Sequence, residues 1–300
     1  MGSISTFKTD HLVGKEVGTS TLIQELGRGG MSVIFVAYQR TLKRRIAVKI
    51  LPKSLMTSVA AEFFQREAET AAILSHPNII PVYEVGDNGE FLFIAMQLII
   101  GQSLYYLIKR AQKNIVPSKR FLPVKACIKI VISVLDALHY AHAQDVVHRD
   151  IKPGNILMET HTRRPIIMDF GIAKVSRQPQ GETPMILGTP NYIAPEQILE
   201  DDIDGRADIY AVGTMLLEML GSRLPFPKVG SASDLLEMKL NRHDQLFQEK
   251  PSQMNPHVRR EMDSIVSRAV AFDPEKRYAS CGEFKERLES YMKRYLNSRN

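Results

Sequence analysis

The most informative stretch of this sequence is HRDIKPGN, residues 148–155. Asp150 in this stretch can accept a proton from an attacking hydroxyl, and the cation of Lys152 can offset charge on a phosphoryl group during transfer. Asn155 supplies an amide oxygen, the kind of hard ligand that Mg²⁺ prefers. Further along, Asp169 is followed by Phe and Gly and adds a carboxylate oxygen of the same kind. Together these residue types predict an active site for phosphoryl transfer.

Composition describes an ordinary globular chain. It has 300 residues, 44% apolar and 24% charged, which suffices for one or two domains with buried cores. The two cysteines, Cys127 and Cys281, fit no zinc spacing and favour a reducing compartment, so we expect a cytoplasmic location. The longest apolar run, residues 91–100, is far shorter than the ~18 residues that a membrane span needs. Residues 1–10 lack the apolar core of a secretory signal.

The formal net charge of +6 favours a solvated basic surface. Nucleic-acid binding would require a basic stripe with aromatic stacking residues, and the chain has no such stripe and no tryptophan, so we expect no nucleic-acid partner. The first six residues fit the loose pattern for N-myristoylation, but a disordered polar start is the favoured interpretation. A basic cluster that could touch an acidic peptide or partner comprises Lys109, Arg110, Lys113, Lys119, Arg120, Lys125 and Lys129.

The first third of the chain reads mainly as strands. β-Branched runs broken by glycine and charge predict three strands within 21–51, and two more are predicted at 79–85 and 91–98. Residues 60–75 predict a helix, which Pro77 ends. Up to about residue 96, the pattern indicates a mostly antiparallel sheet carrying one helix.

The remainder reads as mainly helical, with an irregular region between residues 145 and 200 that holds most of the motifs. Such a placement is typical of an enzyme, because catalytic residues collect in loops on a rigid scaffold. Residues 111–123 indicate an exposed basic connector. The predicted helices span 124–143, 206–221, 233–240, 257–271 and 281–296.

Two further motifs identify a family. GRGGMS at 27–32 and GTPNYIAPE at 188–196 occur in order with the two motifs above. From roughly residue 20 to 295 the chain resembles the protein kinase superfamily, and within it the bacterial, eukaryotic-like (Hanks-type) serine/threonine kinases. The chain departs from the family pattern at Ser32, where a third glycine is usual, and at Ile34, where valine is usual.

The resemblance implies an α+β, bilobal protein kinase fold over residues 1–295. It has a small antiparallel-sheet N-lobe (about 20–96) with one main helix, a hinge (97–101) and a larger, mostly helical C-lobe (about 102–295). The termini, 1–15 and 296–300, are expected to be flexible.

The resemblance also implies an ATP site. Lys49, in the run IAVK, would contact the α- and β-phosphates and pair with a helix glutamate. Glu67 is favoured for that partner; Glu69 is its competitor but lies on a different helix face. Met96 fits the gatekeeper position, and Met168 would help to sandwich the adenine. The expected ATP-binding residues are Leu26, Gly27, Gly29, Ile34, Ala47, Lys49, Glu67, Met96, Gln97, Ile99 and Leu157.

The resemblance also implies that Asp150 and Lys152 are the catalytic residues. Asn155 and Asp169 would hold Mg²⁺, for which Mn²⁺ can substitute. Residues that the resemblance makes structural are Glu196, expected to pair with Arg277, and Asp208, expected to bond the catalytic-loop backbone.

Residues 172–195 resemble an activation loop. Thr183, which precedes Gly188 by five positions, is the favoured phosphorylation site, and Ser176 is a weaker one. Arg149 and Lys174 would pair with the phosphate. Thr189 is expected at the substrate-binding turn, in contact with Asp150 and Lys152.

The predicted function is a non-specific serine/threonine protein kinase that transfers the γ-phosphoryl group of ATP. Lys152 together with Thr189 favours Ser/Thr over Tyr acceptors. Expected partners are protein substrates and a second copy of the chain, in a transient homodimer for trans-autophosphorylation. Two rivals are a pseudokinase scaffold, whose mark would be a lost Lys, Asp or Asn, and a small-molecule phosphotransferase, which usually lacks the Ala-Pro-Glu segment. This chain retains all of these features.

Overall fold

The computed structural model describes residues 8–28, 32–55, 64–65, 69, 72–170, 190–199 and 203–296. The chain divides into two compact units, Met1–Ile100 and Gly101–Asn300.

The described part of the first unit is built on an antiparallel sheet. Its strands are β1 (Glu16–Val17), β2 (Ser20–Arg28), β3 (Val33–Gln39), β4 (Arg44–Pro52), β5 (Val82–Asp87) and β6 (Phe91–Met96). They lie in the order β1-β2-β3-β4-β6-β5. Residues 88–90 join β5 to β6, and Gly89 there has a φ of 90°, a left-handed conformation that glycine adopts readily.

Alternation along these strands gives the sheet two distinct faces, because successive side chains point to opposite sides. On one face, Phe35, Val48 and Ala95 stand opposite one another on β3, β4 and β6. They belong to a buried apolar cluster that also contains Leu12 and Val17 from the start of the chain. The other face is therefore the one that can receive a ligand.

The predicted helix at 60–75 is only partly covered by the description. Residues 64–65, 69 and 72–73 are helical, and Phe64 and Leu74 are buried. The described residues agree with the prediction up to residue 73, whereas residues 74 and 75 are not helical.

The second unit opens with a small antiparallel sheet of order β7-β8-β9. Its strands are β7 (Gly101–Ser103), β8 (Ile156–Glu159) and β9 (Pro165–Ile167). The described helices of this unit are α1 (Leu104–Gln112), α2 (Val124–His142), α3 (Pro195–Leu199), α4 (Arg206–Gly221), α5 (Ala232–Asn241), α6 (Pro251–Met254), α7 (Glu261–Ala269) and α8 (Cys281–Tyr295).

Helix α4 forms the centre of the second unit. Every residue from Ala207 to Gly221 is buried, which fits a helix that is apolar around most of its circumference. Gly213 allows close packing here, because a Cβ at this position would lie 2.7 Å from the Cβ of Ala269 on α7.

The predicted α+β class is confirmed: an antiparallel-sheet N-terminal unit precedes a mostly helical C-terminal unit. Within the described residues, no helix is both long enough and apolar enough to cross a lipid bilayer.

Candidate active site

Pairing across the first sheet gathers the predicted nucleotide-binding residues of this unit on one face. Gly27 stands opposite Ile34 and Ile34 opposite Lys49, while Ala47 stands opposite Met96. Lys49 and Ala47 are two residues apart on β4 and so share a face. The register thus brings these five residues to the side of the sheet away from the apolar cluster.

Lys49 is buried, with a relative exposure of 7%. The residues opposite it across the sheet, Ile34 and Ile94, are apolar. Leu26, which lies on β2 just before the glycine turn, is 54% exposed. A charged phosphate group near Lys49 would match both its charge and its position.

The hinge segment offers backbone groups rather than side chains. The amide of Gln97 donates to the carbonyl of Pro81 at 3.0 Å, so a bond from Gln97 to a ligand has to use its carbonyl oxygen. Ile99 is buried, at 8% exposure. This arrangement suits recognition of an adenine edge.

In the second unit, three residues of the HRDIKPGN stretch meet at one carboxylate. Lys152 Nζ lies 2.9 and 2.8 Å from the two carboxylate oxygens of Asp150. Asn155 Nδ2 donates to the carbonyl of Asp150 at 2.8 Å and to its Oδ2 at 3.0 Å. The Asp150 carboxylate is therefore held by a cation and an amide, yet remains about 29% exposed to solvent and to a substrate.

Asp208 at the start of α4 holds the backbone of the same loop. Its two carboxylate oxygens accept hydrogen bonds from the amides of His148 (2.9 Å) and Arg149 (2.8 Å), and His142 Nε2 lies 2.8 Å away. Burial raises the pKa of Asp208, but the hydrogen bonds and charges of His142 and His148 outweigh burial and lower it below the usual value. The expected anchoring role of Asp208 is confirmed.

Arg149 and Asp169 have left-handed backbone conformations without being glycine, with φ values of 65° and 52°. Such conformations are costly and occur where surrounding contacts enforce them, often at functional sites. Arg149 adjoins Asp150 and Asp169 is itself an expected metal ligand, so the strain agrees with an active site.

The oxygen donors expected at the metal site come from neighbouring strands. Asn155 immediately precedes β8 and Asp169 follows β9; the amide of Met168 donates to the carbonyl of Asn155 at 2.9 Å. Both bonds from the Asn155 side chain use its nitrogen, which leaves the amide oxygen directed elsewhere. One carboxylate and one amide oxygen fit Mg²⁺, which typically takes few protein ligands and shares substrate phosphates.

His148 ties the two motifs together. Its Nε2 lies 3.1 Å from the carbonyl of Met168, and its ring packs against Phe170 with centroids 4.6 Å apart. His148 and Phe170 are both buried. The residue before Asp169 and the one after it are thus fixed to the catalytic loop.

Arg149 carries a buried Nε atom with no hydrogen-bond partner within the described ranges. An arginine nitrogen in this condition is costly, and an anion would relieve the cost. The predicted phosphate-pairing role of Arg149 suits this environment.

The segment that follows the expected activation loop, residues 190–199, is anchored at several points. Arg277 donates to both oxygens of Glu196, at 2.6 and 2.8 Å, and the two side chains are almost fully buried. The expected Glu196–Arg277 pair is confirmed. The Tyr192 hydroxyl also donates to Glu218. Burial is the main cause that raises the pKa values of both Tyr192 and Glu218.

Sequence reasoning missed two polar residues of this segment. Gln197 accepts a hydrogen bond from the amide of Ala194 (3.0 Å) and donates to the carbonyl of Arg149 (2.9 Å). Lys239 on α5 donates to two carbonyls of residues 191–193. Nothing in the sequence distinguishes either from an ordinary surface residue.

Several predicted site residues lie outside the described ranges. They are Gly29 of the glycine turn, Glu67, Lys174, Ser176, Thr183 and Thr189.

Comparison with known proteins identifies the family. The model of the protein kinase domain matches residues 20–289. The serine/threonine-protein kinase Pkn1 of Myxococcus xanthus is 34% identical over 93% of this chain and 39% of its own length. PknB of Mycobacterium leprae, also named a serine/threonine-protein kinase, is 33% identical over 88% of this chain and 41% of its own length.

A solved structure has the same fold. The kinase domain of Mycobacterium tuberculosis PknI is 27% identical with a TM-score of 0.71, covering 93% of this chain and 98% of that domain.

The chain belongs to the protein kinase family, and the resemblance to the bacterial Hanks-type serine/threonine kinases is confirmed. A domain of this family uses ATP and a divalent metal ion and acts on protein substrates. The prediction of an ATP-dependent serine/threonine protein kinase domain is confirmed at this level. The chain spans about two fifths of the length of the curated relatives that it matches.

Proposed function

We propose that this domain transfers the γ-phosphoryl group of ATP to Ser and Thr hydroxyls of proteins, with Asp150 as the residue that accepts the hydroxyl proton. The observation that carries the proposal is the contact of both Lys152 and Asn155 with the Asp150 side chain, all within 3.0 Å. A carboxylate so oriented can position a hydroxyl for in-line attack. The nearby ammonium of Lys152 can stabilise negative charge on the moving phosphoryl group.

The nucleotide is assigned to the ligand face of the first sheet, the side that carries Lys49. Lys49 offers the charge for the α- and β-phosphates, and Gln97 and Ile99 in the hinge segment at 97–101 offer backbone groups for adenine. We assign Asn155 and Asp169 to Mg²⁺, with Mn²⁺ as a substitute. When bound, the ion neutralises charge on the phosphates.

The proposed regulation is trans-autophosphorylation of Thr183 within a transient homodimer. The buried Nε of Arg149, which has no hydrogen-bond partner among the residues that the structure describes, supports a phosphate-binding role for Arg149. The proposed boundaries remain an N-lobe at about 20–96 and a C-lobe at about 102–295. The two buried free thiols, Cys127 and Cys281, support a cytoplasmic setting, and we propose no nucleic-acid partner.

The decisive experiment incubates the purified chain with ATP labelled at the γ position, Mg²⁺ and a generic basic protein substrate. We expect label on serine and threonine and none on tyrosine, as determined by phosphopeptide mass spectrometry. Asp150→Asn prepared in the same way is the control for contaminating kinases. A wild-type chain that binds ATP but incorporates no label would instead identify a pseudokinase scaffold.

A further inference from the structure

Lys239 is a lysine whose side chain is fully enclosed in the second unit. It lies on α5, and its relative exposure is 0%. Its Nζ donates to the carbonyl of Asn191 at 2.8 Å and to that of Ile193 at 2.7 Å. A buried lysine is rare and costly unless its amine is paired. Here the amine is committed to two backbone oxygens of one short segment, residues 191–193.

Two aromatic rings also lie near the amine. Nζ lies 5.0 Å from the ring centroid of Tyr210 and 5.8 Å from that of Phe226. Burial is the main cause that lowers the pKa of Lys239, to about 7, while Glu196 opposes and Arg277 adds to the shift. A neutral amine keeps two N–H groups, so both hydrogen bonds can persist in either protonation state.

The segment held by Lys239 is connected to the catalytic loop. The amide of Ala194 donates to Gln197, and Gln197 donates to the carbonyl of Arg149 at 2.9 Å. Arg149 is the neighbour of Asp150. A displacement of residues 191–193 would therefore be transmitted through the Gln197 side chain to the backbone of Arg149, next to the proposed base, Asp150.

The same segment begins immediately after Thr189 and Pro190, at the turn assigned to the protein substrate. Its described anchors come from different directions: Glu218 on α4 bonds the Tyr192 hydroxyl, Gln197 on α3 bonds the Ala194 amide, and Lys239 bonds the carbonyls of Asn191 and Ile193. Lys239 is the anchor among these that fixes the backbone carbonyls, and so the path of the chain itself.

We propose that Lys239 is a positioning residue for the protein substrate, which acts by fastening the Asn191–Ile193 backbone to helix α5 and so setting the surface on which the acceptor peptide docks. The inference rests on the proposed protein kinase activity. Packing alone does not account for a lysine here. A methionine of similar length would fill the space and avoid the cost of enclosing an amine. The amine supplies two directed hydrogen bonds that an apolar side chain cannot make.

The test compares Lys239→Met with the wild type and with Lys228→Met, which makes the same change at an exposed lysine of the second unit. KM and kcat are measured separately with ATP varied and with a peptide substrate varied. We expect Lys239→Met to raise the KM for peptide about tenfold, the size of about one net hydrogen bond, and to leave the KM for ATP within about twofold. Lys228→Met should match the wild type.

A second variant and a second measurement keep the proposal testable if Lys239→Met does not fold. Lys239→Gln keeps an NH₂ donor on a side chain one bond shorter, and amide hydrogen exchange of the peptide containing residues 190–199 is followed in every variant that folds. We expect faster exchange of this peptide in Lys239→Met and an intermediate rate in Lys239→Gln.

The outcomes separate the two claims. Equal peptide KM values in Lys239→Met and the wild type would overturn the positioning role, as would equal losses toward ATP and peptide. If Lys239→Met does not fold, a Lys239→Gln protein with normal exchange and normal peptide KM would overturn it as well. A wild-type chain with no transferase activity would instead overturn the proposed function, which the first assay detects independently.

Discussion

Lys152 and Asp150 form a two-point ion pair in which one ammonium lies 2.9 and 2.8 Å from the two carboxylate oxygens. The pair is only partly buried, with side-chain exposures of 21% and 29%. An exposed ion pair of this kind contributes little to stability. The ion pair therefore acts mainly by orienting the Asp150 carboxylate. Asn155 adds to this, because its Nδ2 donates both to the Asp150 backbone carbonyl and to the carboxylate.

Replacing Asp150 with Asn should abolish proton acceptance without disturbing nucleotide binding. We expect turnover to fall by about 10²- to 10⁴-fold, the range of general base catalysis, with ATP affinity nearly unchanged. Steady-state phosphorylation and calorimetric ATP binding measure the two effects. Asp145→Asn is the matched control, because Asp145 is exposed on the approach to the same loop and asparagine tolerates its φ of 58°. Near-normal turnover in Asp150→Asn would remove Asp150 from the mechanism.

Asp169→Asn should weaken the proposed metal site. A carboxylate is a stronger ligand for Mg²⁺ than an amide, so we expect activity to be lost at ordinary Mg²⁺ and the affinity for the Mg²⁺–ATP complex to fall. The measurement is a Mg²⁺ titration of activity beside isothermal calorimetry with ATP. The control is Asp244→Asn, the same change at an exposed position. A titration curve that coincides with the wild type would show that Asp169 holds no metal.

Thr183→Ala should lower activity toward an added substrate and leave ATP binding intact. A phosphothreonine carries about −1.5 to −2 charges. Within the described part of the chain the buried Nε of Arg149 has no hydrogen-bond partner, so Arg149 is suited to bind such a group. Intact-mass and peptide analysis after incubation with ATP and Mg²⁺ locates the phosphate, with Ser176→Ala as the comparison. Full activity from a preparation with unmodified Thr183 would contradict this regulation.

The Glu196–Arg277 pair predicts a large stability effect. Arg277 has a side-chain exposure of 0% and also donates to three backbone carbonyls, so removing its carboxylate partner leaves an uncompensated buried charge. We expect Glu196→Ala to cost about 3–5 kcal/mol in the free energy of unfolding. Urea denaturation measures it. Glu275→Ala is the control: Glu275 pairs with Arg206 but is 79% exposed, so little change is expected. Similar losses from both variants would contradict the argument.

Local sequence patterns predicted much of the fold, because helices and strands are favoured largely by residues that are close to one another in the chain. The helix at 206–221 has the predicted bounds, and it ends where Ser222 adopts a left-handed φ of 60°. The strand predicted at 79–85 begins only at Val82 and the one at 91–98 ends at Met96, because a strand extends only as far as a neighbouring strand pairs with it, whatever its apolarity. Helix α7 spans 261–269 rather than 257–271, since the preceding residues form a turn in which the amide of Val258 donates to the carbonyl of Asn255.

The candidate site likewise contains residues that a local motif predicts and one that it does not. Asp150, Lys152 and Asn155 lie within one short motif, so sequence was enough to bring them together. Lys239 could not be foreseen, because it occurs in a polar stretch and its partner Asn191 is 48 positions away. Its burial results from tertiary packing, which no local pattern of one sequence encodes.

The burial of Lys239 has a consequence for stability that can be measured without substrate. Its pKa is lowered from 10.5 to about 7 in the folded chain, mainly by burial, while the unfolded chain keeps the ordinary value. Between these values the unfolded state binds more protons than the folded state, so the contribution of Lys239 to stability rises with pH. Below about pH 7 both states are protonated and the contribution no longer changes.

We expect the free energy of unfolding of the wild type, minus that of Lys239→Met, to increase from pH 7 to pH 9 by up to about 1.4 kcal/mol per unit, the limit for one proton. The other charged or titratable groups around the amine, which are Glu196, Arg277, His243 and Tyr210, are present in both proteins, so subtraction removes most of their effect. His243 is kept neutral over this range, because burial is the main cause that lowers its pKa to about 4. Urea denaturation at three pH values supplies the measurement, with Lys228→Met as the exposed control. A difference that stays constant with pH would mean that Lys239 carries its charge throughout this range, held by Glu196 and the two carbonyls.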